Sequence, residues 1–173
     1  GFSLEPANRK WWLRDRHKVL NFLASYRSQL IDEWKVNPTE NFVRNTAHVR
    51  AAEIVGSVEE DRGGFNLTLA LRAGQTDEGS VRLAVATGRG YVENGGKVFL
   101  IEKKKLERLA TAQKSLTNNP QAGLEIRQTL KIRSARIPEA QAILDELSPA
   151  LQPPPAWRAR GEALRDIANL ESA

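Results

Sequence analysis

A chain of 173 residues can bury a single core without disulfides or metals to hold it. It contains no cysteine, which excludes thiolate nucleophiles, disulfide frameworks and zinc–thiolate centres. No apolar run reaches the roughly 18 residues of a membrane span, and the net charge of +5 favours an acidic partner. That charge is local: residues 97–136 hold ten Lys or Arg against three acids, and the rest of the chain is close to neutral.

Between residues 6 and 34, Trp12, Val19, Leu23, Tyr26 and Leu30 recur at helical spacings and predict one long N-terminal helix. Its leading turns carry Arg9, Lys10, Arg14, Arg16 and Lys18, the wrong sign for a helix N-terminus. With Trp11 and Trp12 beside them, this Trp/Arg segment suits a membrane surface or a phosphate. Asn37-Pro38-Thr39-Glu40 predicts the start of a short helix, with Asn37 as cap and Glu40 closing a capping box. An extended stretch over 49–59 follows.

The period then changes to two. Phe65, Leu67, Leu69 and Leu71 alternate with more polar neighbours and predict a half-buried strand between two turns. Val81, Leu83 and Val85 extend the alternation into another strand, and Asn94-Gly95-Gly96 predicts a hairpin turn with Val98 to Ile101 as the returning strand. Gly88 and Gly90 read as a bulge, because a strand and not a helix N-terminus follows them, as a phosphate loop would need.

From Lys104 the period is helical again, with Leu106, Leu109 and Leu116 on one face and a stop at Asn118-Asn119-Pro120. Leu124, Ile126, Leu130 and Ile132 alternate with Arg127, Thr129, Lys131 and Arg133, predicting a further strand that exposes a basic ladder. Pro138 opens a helix, Pro153 to Pro155 form a stiff spacer, and the chain closes in an amphipathic helix. The apolar face of that helix, Trp157, Leu164, Ile167 and Leu170, either covers the domain or docks on a partner protein. The expected fold class is therefore α+β: an antiparallel four- to five-stranded meander sheet flanked by a long N-terminal helix and C-terminal helices. Residues 1–152 form one domain, and 153–173 the spacer and last helix.

His17 and His48 are too few to suggest a metal site, and no serine lies in a Gly-x-Ser-x-Gly elbow. The segment Val98-Phe99-Leu100-Ile101-Glu102-Lys103-Lys104, an apolar strand ending in Glu-x-Lys before a helix and a strand, resembles the metal-dependent nuclease superfamily named for its Pro-Asp and Asp/Glu-x-Lys motifs. The resemblance spans about residues 38–135 and implies that Glu102 binds Mg²⁺ and Lys104 positions the attacking water. The family's second carboxylate has only Asp77 and Glu93 as nearby acids before Glu102.

The charge distribution leads to a non-enzymatic domain of a larger DNA-processing, phage or mobile-element protein, contacting nucleic-acid phosphates through Lys103, Lys104, Lys105, Arg108, Arg127, Lys131 and Arg133, with no cofactor and no metal. The alternative is a soluble assembly module of a membrane-anchored or secretion-type complex, using the Trp/Arg segment on the bilayer and the last helix on a protein partner. The cytoplasm is the expected location.

Overall fold

The computed structural model of the chain describes residues 2–7 and 9–171, and the side chains of 10–12 and 168–171 lie outside that description. Among the described residues it is α+β, with six α-helices, two three-stranded sheets and a small hairpin. The chain divides into two units: residues 1–52 with 72–106, and residues 53–71 with 107–173.

The first unit opens on the hairpin of β1 (Ser3–Glu5) and β2 (Lys10–Trp12), so the helix expected over 6–34 is shorter than its pattern. Helix α1 (Arg16–Ser28) begins where Asp15 accepts the backbone N–H of Lys18 at 2.9 Å, a capping signal that outweighs the apolar spacing before it. A π-helical turn, Gln29–Glu33, extends it. Helix α2 (Glu40–Asn45) is capped by Thr39 and not by Asn37: the Thr39 hydroxyl accepts from the Phe42 N–H at 3.3 Å, which leaves Glu40 too early to close a capping box.

The strand expected at 81–85 is a helix, α3 (Glu78–Ala86). Asp77 caps it through the Ser80 N–H (2.8 Å) and hydroxyl (2.6 Å). Gly88, at φ +70°, ends it in a Schellman motif, with its own N–H on Val85 O and that of Arg89 on Ala84 O. Gly88 is thus a helix terminator, not a bulge. Val81 and Ala84 are buried while Leu83 is 65% exposed, which is helical and not alternating burial.

Strands β3 (Val49–Ala51), β6 (Tyr91–Asn94) and β7 (Lys97–Leu100) form the first sheet in the order β3-β7-β6. The β6–β7 hairpin turns on Gly95 and Gly96, both at positive φ, as the sequence indicates. β3 joins β7 in parallel, pairing Val49 with Val98 and Ala51 with Leu100, so this sheet is not a meander. Leu20, Leu23 and Ala24 of α1 bury against Tyr91, Val98 and Leu100.

In the second unit, β4 (Glu53–Asp61) and β5 (Gly64–Arg72) form a hairpin, and β8 (Arg127–Ile132) adds antiparallel to β5, giving the order β4-β5-β8. Phe65, Leu67 and Leu69 are at most 1% exposed, as their alternation requires. The residues beyond Leu106 of α4 (Lys103–Thr117), together with α5 (Ile137–Leu147) and α6 (Pro155–Glu171), complete the unit. Leu109, Leu116, Ile137, Ala140, Leu144 and Trp157 supply its helical core. Pro153 is buried and Pro155 opens α6.

Candidate nucleic-acid interface

Strand β8 carries the basic ladder, and polar side chains fix it at both ends. At its entry, Gln113 of α4 is fully buried and grips the backbone of Glu125, donating from Nε2 to the carbonyl (2.7 Å) and accepting the N–H on Oε1 (3.0 Å). At its exit, the Arg136 guanidinium donates to the carbonyls of Ser115 (2.9 Å) and Leu116 (2.6 Å) and pairs with Glu139 at 2.9 Å. Those carbonyls belong to the last turn of α4, where a cation meets the negative end of the helix dipole. Neither residue is signalled by periodicity, since each bonds to backbone distant in the chain.

With its ends pinned, β8 pairs Ile132 with Phe65, Lys131 with Asn66, Thr129 with Thr68 and Arg127 with Ala70. One face of this ladder is turned inward, with Phe65, Leu67, Leu69 and Ile132 buried and Gln128 and Leu130 half-buried. On the other, Arg127, Thr129 and Lys131 are exposed, and Thr68 and Thr129 share a hydroxyl hydrogen bond of 2.8 Å. Arg133 continues the extended backbone beyond the strand, at φ −78° and ψ 153°, and is also exposed. The six residue steps from Arg127 to Arg133 span about 20 Å at the strand rise, the length of roughly six base-pair steps of duplex.

The sheet's charges are graded. Asp61, at the end of β4, reaches Lys131 at 3.0 Å, and the alternation of β4 puts Glu53 and Glu59 on the same face as Asp61. The hydrogen bond from Lys131, with the Arg62 N–H, holds the Asp61 carboxyl below the usual carboxylate range. Lys131 is therefore neutralised within the sheet. Arg127 and Arg133 meet no carboxylate among the described residues.

The other basic residues of the expected cluster are placed differently. Arg108 donates to the Glu146 carbonyl at 2.9 Å and pairs with its carboxylate at 3.1 Å, so it ties α4 to α5. Lys103, Lys104 and Lys105 belong to the first unit. Lys103 and Lys104 are exposed, and Lys103 is engaged within the chain. Lys105 turns inward, donating to the Ala52 carbonyl at 2.6 Å and standing 3.5 Å from Glu102.

Glu102 is 5% exposed and lies between Lys105 and Arg27, the latter at 3.7 Å, while its carbonyl accepts the N–H groups of Lys105 and Leu106 to start α4. Its carboxylate balances the cations at the positive end of that helix. Lys104 does not join it in any contact. Asp77 caps α3 and Glu93 pairs with Arg16 at 2.7 Å, so neither supplies a second carboxylate beside Glu102. No group of three or more His, Cys, Asp or Glu among the described residues is arranged to hold a metal.

The last helix is also corrected in part. Trp157 is 1% exposed, meets the Phe65 ring edge-on at 5.1 Å between centroids and donates from Nε1 to Gln141 Oε1 at 2.5 Å, so it is core and not an interface residue. Leu164 is half-buried and Ile167 is 53% exposed. The side chains of Leu170, Trp11 and Trp12, named for the partner and membrane readings, lie outside the described residues. None of the described helices is long and apolar enough to cross a membrane. No protein-family model, curated protein or solved structure matches the chain.

Proposed function

We propose that the chain is a non-enzymatic nucleic-acid-contacting domain of a larger DNA-processing protein, binding phosphates through the open face of β8. The observation that carries this reading is the pair Arg127 and Arg133: exposed, at alternating positions along β8 and the extended residue that follows it, a segment anchored at both ends, and without a carboxylate partner among the described residues. Guanidinium groups on a rigid support match phosphate oxygens and read no sequence by doing so. The acids of β4 confine the contact to the β8 edge of the sheet. The surface is narrower than the seven residues expected from sequence, because Arg108, Lys131 and Lys105 already have partners.

Fluorescence anisotropy of a labelled 20-base-pair duplex, titrated with the full chain in 50 mM salt, tests this. Arg127→Glu/Arg133→Glu is expected to weaken binding at least tenfold with an unchanged melting temperature, and Asp61→Asn to strengthen it by releasing Lys131. Equal binding by the wild type and the double variant would remove the proposal. A single-stranded oligonucleotide of the same length separates duplex preference from general polyanion affinity.

A further inference from the structure

The first unit carries an apolar surface that nucleic-acid binding does not use. Every residue from 31 to 45 is exposed, although the segment includes Ile31, Trp34, Val36, Phe42 and Val43. Neither the π-helical turn nor α2 buries a single side chain. A helix of six residues is far below the length that is stable alone in water, so its stability must come from packing on an apolar face. Here that face is open.

Of these, Ile31, Val36, Phe42 and Val43 line one side of a concave groove of about 700 Å³, whose other walls come mainly from α1 and β3. Its size lies within the range of sites that enclose several side chains. The charged groups lining it are Arg27 and Arg50, with no acid among them; Asp32, Glu33 and Glu40 stand outside the lining. Arg50 is fixed at its place by donating to the carbonyls of Ala47 (2.7 Å) and Val49 (3.0 Å), and no carboxylate among the described residues meets its charge. Among the described residues, Arg27 meets a carboxylate only at Glu102, 3.7 Å away.

We propose that this groove is the docking site for an amphipathic α-helix of a partner polypeptide, one that carries an apolar stripe at i, i+3, i+4 and i+7 bordered by Asp or Glu. Helical ridges on α1 and α2 receive a third helix in the way that helix-in-groove complexes do. The acidic border follows from charge complementarity: an occupant without carboxylates would cover Arg50 and leave its charge unpaired. A bilayer is the poorer fit, because a concave apolar surface cannot insert among acyl chains as a protruding one does.

The test is a displayed library of 18-residue helix-forming peptides panned against the full chain. Enrichment of sequences with the stated stripe and acidic borders is expected, and a synthetic peptide of the consensus should lose at least tenfold in affinity for Ile31→Ser/Val43→Ser, whose exposed positions leave the melting temperature unchanged. Should that variant melt early, Arg50→Glu carries the test: the enriched border charge should shift from acidic to basic. Failure to enrich, enrichment of alternating extended sequences, or indifference of the consensus peptide to both variants would overturn the proposal. So would binding to vesicles of phosphatidylcholine and phosphatidylserine that depends on Ile31 and Val43. Duplex affinity should be untouched by these substitutions, so this proposal and that for β8 stand or fall separately.

Discussion

Asp15, Asp61 and Asp77 all hold their protons less tightly than an isolated aspartate, each for a local reason. Asp15 is held by the backbone N–H of Lys18, Asp61 by the Lys131 ammonium and Asp77 by the hydroxyl of Ser80 and its N–H. A carboxyl whose folded pKa is depressed contributes stability that is present above its unfolded value near 3.8 and is lost as pH falls through the lower folded value. Acid should therefore weaken the starts of α1 and α3 and the β4–β8 link together, below about pH 4. Asp77→Ala is expected to lower the melting temperature by a few degrees at pH 7, and Asp77→Asn by less, because an amide oxygen still caps. The gap between Asp77→Ala and the wild type should close on titration to acid; a gap that persists at low pH would refute the capping account. Circular dichroism melts across the pH series measure it.

At the scale of elements, the boundaries were legible where two signals agreed and misread where a pattern stood alone. The β6–β7 turn combined Asn-Gly-Gly with flanking strands, β5 and β8 each had clean alternation, and α4 had both its stripe and its stop at Asn118. Val81, Leu83 and Val85 alternate in sequence, yet Asp77 and Gly88 bracket them as the caps of a nine-residue helix, and the hydrogen bonds of those caps decide the outcome. Residues 6–14 have helical apolar spacing with no cap until Asp15. The wet face of β8 was legible from its own period. Its electrostatics were not, because Asp61 reaches Lys131 from far along the chain, as Glu146 reaches Arg108 of α4. The final helix shows the same limit: its stripe was visible, but only the fold shows that Trp157 is spent on Phe65 and Gln141. Trp157→Ala should cost about 3–5 kcal/mol in chemical denaturation, whereas Ile167→Ala should stay within about 0.5 kcal/mol. A mild effect at Trp157 would mean that α6 contributes little to the unit's core.

For the molecule as a whole, the positive excess of residues 97–136 is less available than its count implies. Lys105, Arg108, Lys131 and Arg136 each meet a carboxylate, and their work is to join elements within a unit. Of that excess, Arg127, Arg133 and Lys114 in the second unit are exposed and meet no carboxylate among the described residues, the first two in line along β8 and its extension, while the first unit carries an apolar groove lined by two arginines. The two units thus carry surfaces of different chemistry, the one proposed for phosphates and the other for a helix. The most direct measurement is the dependence of duplex affinity on salt between 50 and 200 mM. Each phosphate contact contributes about 0.9 to the slope of log K against log salt, so Arg127→Gln/Arg133→Gln should flatten the wild-type slope by about 1.8. A slope that is the same in the two proteins would contradict the assignment of phosphate contact to β8.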